Sequence, residues 1–224
     1  MKLTIFAATG GIGRQLLEQA RTADHQVTAV VRNPKRLTGV WSGLRVVTAD
    51  LAAADPNTIK SAVAGADAVV SGLGASSNAE AGIATQGTRA IVDAMQATDV
   101  RRIVVISAAP VSTVASPGRP NPPKHDPGDG FLMRYLLTPI IKVVLRKVYE
   151  DHGLMEDVLR GSNLDWTIFR PPRLTNEALT GKYRTALGQN LRGGFLISRA
   201  DVAHAMLASL NQPATIRQTV GISY

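Results

Sequence analysis

The sequence predicts an α/β fold, a doubly wound parallel sheet in which strands alternate with helices. Short, β-branched apolar runs at residues 3–6, 27–31 and 102–106 are typical of buried parallel strands. Residues 84–97 between such runs have the pattern of a long helix. A chain of 224 residues can bury one sizeable core, so we expect a single domain over residues 1–224.

Composition and charge restrict the classes of function. The chain has no cysteine, which excludes disulfides, a thiol nucleophile and cysteine-ligated zinc, and we predict no metal site. The formal charge is +8, but the 25 lysine and arginine residues are scattered in runs no longer than two. A nucleic-acid-binding face needs clustered cations, so this charge favours an anionic cofactor or substrate instead.

No segment is predicted to direct the chain to a membrane or out of the cell. Met1 and Lys2 lead straight into the first apolar run, so we expect no signal peptide. The longest apolar stretch, residues 131–145, is interrupted by Arg134, Pro139 and Lys142 and is too short to span a bilayer. We therefore expect a cytoplasmic monomer or homodimer whose partner is a small-molecule substrate.

A stretch of small residues follows the first strand and leads into a helix over residues 14–21. This order matches the dinucleotide-binding turn of a Rossmann-type sheet, where small residues let the backbone approach a pyrophosphate. Ala8 replaces the first glycine of the G-x-G-x-x-G fingerprint, and Gly10 and Gly13 keep the later spacing. The alternative is an ordinary strand–helix turn that binds no ligand.

The second strand, residues 27–31, ends at Arg32, and this position predicts the cofactor. NAD enzymes place Asp or Glu here to bind the ribose 2′-hydroxyl, whereas an arginine suits the 2′-phosphate of NADP. A guanidinium matches phosphate geometry, and Arg36 could add a second donor. The alternative is that both arginines are solvated loop cations. NADPH is the predicted cofactor.

Two further strand ends are predicted to reach the cofactor. Residues 45–48 form the third strand, after which Asp50 could accept a hydrogen bond from the adenine amine or only cap the next turn. A helix over 56–63 and a strand over 68–70 then lead into a second loop of small residues. Ligands bind outside the carboxyl ends of parallel strands, so this loop (Gly72, Leu73 and Gly74) should run past the diphosphate and nicotinamide ribose.

The remaining strands are predicted at residues 102–106, 165–169 and 219–222. The first of them delivers Ser107 and Ala108 to the same sheet edge. The next ends at Pro171 and Pro172, whose rings fix an extended wall and remove two backbone donors. Residues 198–210 form an amphipathic helix that begins with a serine cap.

Residues 111–160 form an insertion that we expect to cover the substrate side of the domain. Its first part, residues 111–130, is rich in proline, glycine, serine and aspartate, and a loop this long is usually functional or disordered. Residues 131–160 are helical by pattern, with a break or kink predicted at Pro139. The helical part could be core cover, a dimer face, a lid over the substrate pocket or a membrane-surface segment.

Motifs along nearly the whole chain carry a family resemblance. They are ATGGIG at 8–13, VVRNPKRL at 30–37, DAVVSGLG at 67–74, QGTRAIVDAM at 86–95, IVVISA at 103–108, FRPPR at 169–173, LTGKY at 179–183 and ISRADVA at 197–203. The chain resembles the atypical short-chain dehydrogenase/reductase superfamily and is most similar to the flavin reductase/biliverdin reductase B group and its NmrA-like relatives. The resemblance implies bound NADPH and hydride transfer from C4 of its nicotinamide to a flat, conjugated acceptor such as a flavin or linear tetrapyrrole.

The resemblance also implies roles for individual residues, which are as follows. It places the diphosphate on Thr9, Gly10, Gly11, Ile12 and Gly13, the 2′-phosphate on Arg32 and Arg36, adenine beside Asp50 and Leu51, the ribose on Gly74, the nicotinamide beside Ser107, and the carboxamide against Pro171 and Pro172. The sequence departs from the group at Ala108, where a second hydroxyl is usual, and at Arg173, where histidine follows the double proline. Residues 111–149 are also longer than in that group.

The tyrosine–lysine pair that ordinary short-chain dehydrogenases use as an acid is absent from the expected spacing. The residue four positions after Tyr135 is Pro139, and the residue four positions after Tyr149 is Gly153. This argues against an ordinary alcohol dehydrogenase or sugar epimerase with a built-in acid. Reduction of a flavin or quinone needs no strong protein acid, because the reduced ring can take its proton from solvent.

Three side chains are candidates for the chemistry besides Ser107. His152 lies on the helix predicted to face the site and could transfer a proton. Glu156, one turn later, could share that role or be a surface charge. Arg173 could clamp an anionic substrate or be a surface cation.

The sequence leaves three hypotheses for the function. The first is an NADPH-dependent oxidoreductase that reduces a flavin, a biliverdin-like tetrapyrrole or a quinone. The second is a non-catalytic NADP(H)-binding sensor of the NmrA-like type, favoured by the missing acid and the missing second hydroxyl. The third is a reductase or isomerase of a secondary pathway whose substrate is selected by the 111–130 loop.

Overall fold

The computed structural model describes residues 1–37, 39, 41–75, 77–130, 135 and 138–224. Its strands are β1 (Lys2–Phe6), β2 (Gln26–Val31), β3 (Leu44–Thr48), β4 (Ala68–Ser71), β5 (Arg102–Ile106), β6 (Asp165–Arg170), β7 (Arg173–Thr175), β8 (Arg184–Leu187), β9 (Leu196–Ser198) and β10 (Gln218–Ser223). Its helices are α1 (Gly11–Thr22), α2 (Pro56–Val63), α3 (Ile83–Gln96), α4 (Thr138–Val144), α5 (Arg146–Arg160) and α6 (Arg199–Ala208).

The central sheet has eight strands in the order β3-β2-β1-β4-β5-β6-β10-β8. Every pair in it is parallel except β10 with the edge strand β8, which is antiparallel. The predicted doubly wound parallel sheet is therefore confirmed. The order reverses between β1 and β4, and in such sheets the crevice at this reversal is where ligands bind.

The sequence analysis missed three short strands, β7, β8 and β9. Strands β7 and β9 pair in parallel as a small second sheet, and β8 extends the edge of the large one. Each has only three or four residues. So few residues carry too little periodicity to be distinguished from loop, which is why sequence patterns did not show them.

Two helical layers bury the faces of the sheet. On one face, Leu16 of α1 and Met206 of α6 pack against Leu3 and Ile5 of β1, all fully buried. On the other face, helices α2, α3 and α5 cover a second cluster that includes Phe6 and Ile168. Burial of each large aliphatic side chain contributes about 1.5–3 kcal/mol, so the two clusters hold the strand ends in place.

The helical stretch at residues 138–160 is divided at Leu145, a break that was not predicted, whereas the break or kink predicted at Pro139 borders residues outside the described part of the chain and stays a prediction. Leu145 has φ −111° and ψ 33°, outside the helical range, and separates α4 from α5. Pro139 lies in the first turn of α4, where a proline removes no helical hydrogen bond. The apolar stretch at residues 131–137 lies outside the described residues except for Tyr135.

Helix α5 covers the core, whereas α4 presents apolar side chains to solvent. Met155 and Leu159 of α5 are fully buried, but Ile140 and Val143 of α4 are exposed. Core cover is thus observed for α5, and the dimer-face, lid and membrane-surface interpretations of the remainder stay predictions. No helix within the described residues is long and apolar enough to cross a membrane.

The 111–130 loop is tied down along its length. Asp157 of α5 accepts hydrogen bonds from the Ser116 hydroxyl (3.0 Å) and the Gly118 amide (2.8 Å). Asp126, which is buried, accepts one from the Asn190 amide at 2.8 Å. These bonds join the loop both to α5 and to the turn after β8. That it covers a bound substrate stays a prediction.

Candidate functional site

A cavity of about 660 Å³ opens at the carboxyl ends of β1 and β4, where the strand order reverses. Many predicted cofactor residues line it, namely Thr9, Gly10, Gly11, Arg32, Arg36, Asp50, Leu51, Gly72, Leu73 and Gly74. The lining also includes residues 79–83 and Gln86, which the sequence analysis did not select. The predicted residues Ile12, Gly13, Ser107, Ala108, Pro171, Pro172, His152 and Arg173 are not part of this lining.

The glycine turn brings backbone groups close together at the floor of the cavity. A Cβ on Gly13 would lie 2.1 Å from the Ala7 carbonyl oxygen, so only glycine fits there. Gly72 approaches from the second loop, and a Cβ on it would lie 3.3 Å from the Gly13 nitrogen. Ala7 itself has φ 54°, a left-handed conformation that costs a non-glycine residue about 1–2 kcal/mol. The strained turn directs the chain into α1.

The start of α1 suits a diphosphate. Gly10 is the N-cap and makes no side-chain capping bond, so the first N–H groups of the helix have no side-chain acceptor. Such N–H groups, together with the positive end of the helix dipole, bind phosphate groups. The residues present thus fit the diphosphate of a dinucleotide.

Gly11 also faces a side chain from a distant helix, which was not predicted. A Cβ on Gly11 would lie 2.7 Å from Nε and 2.8 Å from Cδ of Arg199, which reaches over from α6. The absent side chain therefore makes room for Arg199. Sequence analysis included Arg199 in the ISRADVA motif but assigned it no role.

The two arginines predicted to bind the 2′-phosphate both line the cavity, just after the end of β2. Asn33 accepts a hydrogen bond from the Lys35 amide at 3.0 Å and so begins the short 3-10 helix Pro34–Arg36. This turn brings Arg36 to the same cavity as Arg32. Within the described part of the chain neither arginine forms an ion pair, so both charges remain available to an anion.

Asp50 already has a local partner. Its Oδ1 accepts a hydrogen bond from the Ala52 amide at 3.2 Å, which is the capping arrangement named as the alternative. The other carboxylate oxygen has no hydrogen bond within the described structure, and Asp50 still lines the cavity. Its predicted contact with adenine stays a prediction.

The segment at residues 79–86 is set by a cap from a distant helix. Asp151 of α5 accepts hydrogen bonds from the amides of Ala84 (3.1 Å) and Thr85 (3.0 Å) and from the Thr85 hydroxyl (2.6 Å). The N-cap residue Gly82 has φ 104° and makes no side-chain cap. The start of α3 is thereby neutralised from within the protein, and it forms one wall of the cavity.

Ser107 is held by a carboxylate that the sequence analysis had offered as a surface charge. Glu156 has no exposed surface, so that interpretation is wrong. Its Oε1 accepts a hydrogen bond from the Ser107 hydroxyl at 2.7 Å and another from Arg170 Nε at 2.9 Å. Its Oε2 accepts from Arg160 Nη2 at 2.6 Å. Burial alone would raise the pKa of Glu156, but Arg170 and Arg160 outweigh it and lower the pKa to about 2.

His152 lies beside the second loop of small residues. Its Nδ1 is 2.8 Å from the Val148 carbonyl, which can only accept, so Nδ1 carries a proton. Nε2 would lie 3.1 Å from a Cβ on Gly74. The imidazole is therefore placed behind the Gly74 wall of the cavity. Nearby, burial raises the pKa of Tyr149 to about 12, which makes it a poor proton donor.

The end of β6 turns toward the loop after β5, whereas Arg173 faces solvent. The Pro171 carbonyl accepts a hydrogen bond from the Ala109 amide at 2.9 Å. Arg173 is exposed on β7, where it pairs with Leu196 in the small sheet. The structure does not bring Arg173 to the cavity, and its role as a substrate clamp stays a prediction.

Two of the motifs that carry the family resemblance contact each other in the structure. Asp201 of the ISRADVA motif accepts hydrogen bonds from the amides of Thr180 (3.0 Å) and Gly181 (2.7 Å) in the LTGKY motif. It also accepts from the Tyr224 hydroxyl at 2.6 Å. These bonds outweigh burial and lower the pKa of Asp201. Asp201 thus anchors the segment before β8 to α6.

Comparison with known proteins identifies the family. A model described as NAD(P)H-binding matches residues 7–213 of the chain. The chain belongs to this NAD(P)H-binding family. A relative from Bacillus subtilis, named an uncharacterized sugar epimerase (YhfK), is 27% identical over 96% of this chain and 90% of its own. The yeast protein YMR090W from Saccharomyces cerevisiae is 28% identical over 99% of this chain and 92% of its own.

Solved structures of similar fold include proteins of the short-chain dehydrogenase/reductase type. One from Veillonella parvula, solved in complex with NADP, has a TM-score of 0.79 at 20% identity and covers 100% of this chain and 94% of its own. ChuY from Escherichia coli, described as an anaerobillin reductase, has a TM-score of 0.75 at 24% identity and covers 100% of this chain and 97% of its own. Both share the fold of this NAD(P)H-binding protein.

Proposed function

We propose that this protein is an NADPH-dependent reductase that transfers hydride to a conjugated acceptor such as a flavin, a biliverdin-like tetrapyrrole or a quinone. The observation that carries the proposal is the pairing of Ser107 with the buried carboxylate of Glu156. A serine whose proton is directed at a carboxylate cannot also donate it to a substrate carbonyl. The site therefore suits an acceptor that needs no acid from the protein.

The preference for NADPH over NADH rests on the adenosine end of the cavity. Arg32 and Arg36 line it and form no ion pair within the described residues. A phosphate monoester there would receive charge-assisted hydrogen bonds, which are about twice as strong as neutral ones. The neighbour from Veillonella parvula, which binds NADP, supports the same choice.

The cofactor supplies the hydride when it is bound, and the protein supplies position. The glycine turn and the start of α1 would hold the diphosphate, and the loop that contains Gly72 and Gly74 would lie along the ribose. Ser107 donates its hydroxyl proton in the hydrogen bond to Glu156, so only its lone pairs are left, and it can accept a hydrogen bond from a bound amide but not donate one.

His152 is the remaining candidate for proton transfer. In the neutral ring Nδ1 carries the proton, so Nε2 is an acceptor. The ring could deliver a proton toward the Gly74 wall only after a second proton binds to Nε2.

The acceptor class is tested with purified protein and saturating NADPH, by following the loss of nicotinamide absorbance. We expect turnover with at least one of FMN, biliverdin and a simple quinone. The matched control is Lys60→Ala, which changes an exposed cation on α2 away from the cavity. Absence of turnover with all three acceptor types would overturn the proposal for the reaction.

A second candidate is a non-catalytic NADP(H) sensor. The same Ser107–Glu156 pairing favours it, because the site then contains no acidic hydroxyl for catalysis. Micromolar binding of NADPH without turnover would support the sensor over the reductase. An isomerase, as the name of the Bacillus subtilis relative suggests for that protein, is tested by incubation with a nucleotide sugar and product analysis.

A further inference from the structure

Arg199 links α6, near the end of the chain, to the start of α1, near its beginning. It is the first residue of α6, which begins at the side-chain cap of Ser198 on the Asp201 amide. Its side chain crosses to the start of α1, where Nε and Cδ occupy the space beside Gly11. Gly11 lines the cavity and provides one of the first N–H groups of α1. Arg199 itself is not among the residues that line the cavity, but its guanidinium lies beside Gly11, which is one of them.

Within the described ranges, one nitrogen of the Arg199 guanidinium has hydrogen-bond partners. Nη1 donates to the Thr175 carbonyl (3.2 Å) and to Asn176 Oδ1 (2.8 Å), both at the end of β7. Among the described residues no carboxylate forms an ion pair with Arg199, and Nε and Nη2 have no hydrogen-bond partner there. The nearest carboxylate along α6, Asp201, is committed to Thr180, Gly181 and Tyr224. The arginine is held in position while its charge stays available.

We propose that Arg199 is a cofactor-binding residue that meets the diphosphate of the dinucleotide. The inference rests on the proposed function only in that a dinucleotide must bind. The helix start offers partial positive charge, and a full cation beside it strengthens binding of an anion in the same place. Gly11 is part of the same arrangement, because any side chain at that position would push the Arg199 guanidinium away.

The position of Arg199 also couples the cofactor to the acceptor side. Its Nη1 contacts hold the end of β7, the strand that follows Pro171 and Pro172. A diphosphate bound to the other edge of the guanidinium would fix that strand end further. Cofactor binding should thus precede and favour acceptor binding, as in an ordered mechanism.

Binding of cofactor fragments distinguishes the proposed contact between Arg199 and the diphosphate from the 2′-phosphate site. Every dinucleotide carries the diphosphate, so loss of Arg199 should weaken NADPH, NADH and ADP-ribose alike. Adenosine 2′-phosphate has no diphosphate, so it should bind only the part of the cavity that Arg32 lines. The two arginines should therefore give opposite patterns with these two fragments.

The experiment measures dissociation constants by calorimetry for the wild type, Arg199→Met, Arg199→Lys and Arg32→Met. We expect Arg199→Met to weaken ADP-ribose about tenfold or more, the usual effect of losing a hydrogen bond to a charged group, with adenosine 2′-phosphate unchanged. Arg199→Lys should recover part of the loss, and Arg32→Met should show the reverse pattern. Thermal unfolding of each variant without ligand checks that it folds.

A second variant tests the role of Gly11. We expect Gly11→Ala to weaken ADP-ribose in the wild-type background and to have little further effect in Arg199→Ala, because both changes remove one contact. Unchanged ADP-ribose affinity in a folded Arg199→Met variant would overturn this inference and leave the proposed function intact. If the wild type binds neither NADPH nor ADP-ribose, the proposed function fails as well.

Discussion

Glu156 is a buried charge whose neighbours keep it ionised. It receives hydrogen bonds from Arg170, Arg160 and Ser107, and its pKa falls to about 2 even though burial opposes ionisation. Buried ion pairs of this kind contribute little net stability, but breaking one leaves an unpaired charge. The cluster therefore holds the Ser107 hydroxyl in place. Substitution of one of its charged members should cost much stability.

The pH dependence of stability follows from the direction of that shift. The carboxyl titrates near its ordinary value in the unfolded chain and near 2 in the folded protein, so its ionised form favours folding. This contribution is fully present above about pH 5 and is lost as the pH falls toward 2. Urea unfolding at several pH values should show stability falling in that window. The variant Glu156→Gln should show a smaller fall there.

Glu156→Gln should also destabilise the protein at neutral pH. The amide leaves Arg170, which is buried, without its counter-charge, and such losses cost about 3–5 kcal/mol. Urea unfolding at pH 7 measures the change, with Arg146→Gln as the control because the Arg146–Glu150 pair is exposed. A change of less than about 1 kcal/mol, the range of a surface pair, would contradict this account.

At the residue scale, the proposed preference for NADPH depends on Arg32, which lines the cavity. Arg32→Glu replaces a cation in the cavity by an anion, so NADPH should bind at least tenfold more weakly while NADH changes little. Fluorescence titration with both cofactors measures the ratio of affinities. Equal weakening of both cofactors would show that the substitution disturbs the turn rather than a phosphate contact.

Particular residues show how much of the site the sequence could predict. The glycine turn and Arg32 follow strands that are legible as local patterns, and the structure places both in one cavity. Arg199 on α6 contacts Gly11, and Glu156 on α5 contacts Ser107, although both lie far along the chain from these partners. A local pattern does not encode which distant side chain fills a given space, so these two were missed or misjudged.

At the scale of elements, the wall of the cavity at the start of α3 depends on a helix cap that α5 supplies. Asp151→Asn would weaken the hydrogen bonds that the Ala84 and Thr85 amides donate to this side chain of α5. Loss of a cap costs about 0.5–2 kcal/mol, and the 79–86 segment would loosen with it. We expect a lower midpoint of thermal unfolding and weaker NADPH binding.

The control for that experiment is Asp55→Asn. Asp55 caps α2 by accepting from the Asn57 and Thr58 amides, away from the cavity. This variant should lose stability without a change in cofactor affinity. If Asp151→Asn and Asp55→Asn affect NADPH binding equally, the cap on α3 has no special link to the site.

The sequence predicted the presence of helices and strands better than the residues at which they begin and end. Helix α2 and strand β5 begin and end where the sequence predicts, because proline and an aspartate cap mark one and β-branched residues the other. The break between α4 and α5 lies at Leu145, where no proline or glycine marks it. A boundary without such a marker is not visible in a local sequence pattern.

At the scale of the molecule, Asn190 links the insertion to the far edge of the sheet. Its amide donates to Asp126, and its side chain donates to Asp129 Oδ1 at 2.9 Å and to the Ala109 carbonyl at 3.3 Å. Asn190→Ala removes the side-chain bonds while the backbone bond remains. We expect it to loosen the 111–130 loop and to raise the KM for the acceptor, with the affinity for NADPH unchanged.

The measurement for Asn190→Ala is steady-state kinetics at saturating NADPH, with amide hydrogen exchange over residues 111–130. Faster exchange in the loop together with a higher acceptor KM would link the insertion to the substrate side. Faster exchange with unchanged kinetics would show that the loop only covers the core.

The sequence by itself determined the alternation of strands and helices, the dinucleotide turn and the arginine at the end of β2, because each is a local pattern of a few adjacent residues. Only the tertiary structure decided that Arg199 lies over Gly11 and that Glu156 is a buried partner of Ser107. Helix packing brings these pairs together across large separations in sequence, and what a charge does depends on the burial and neighbours it acquires there.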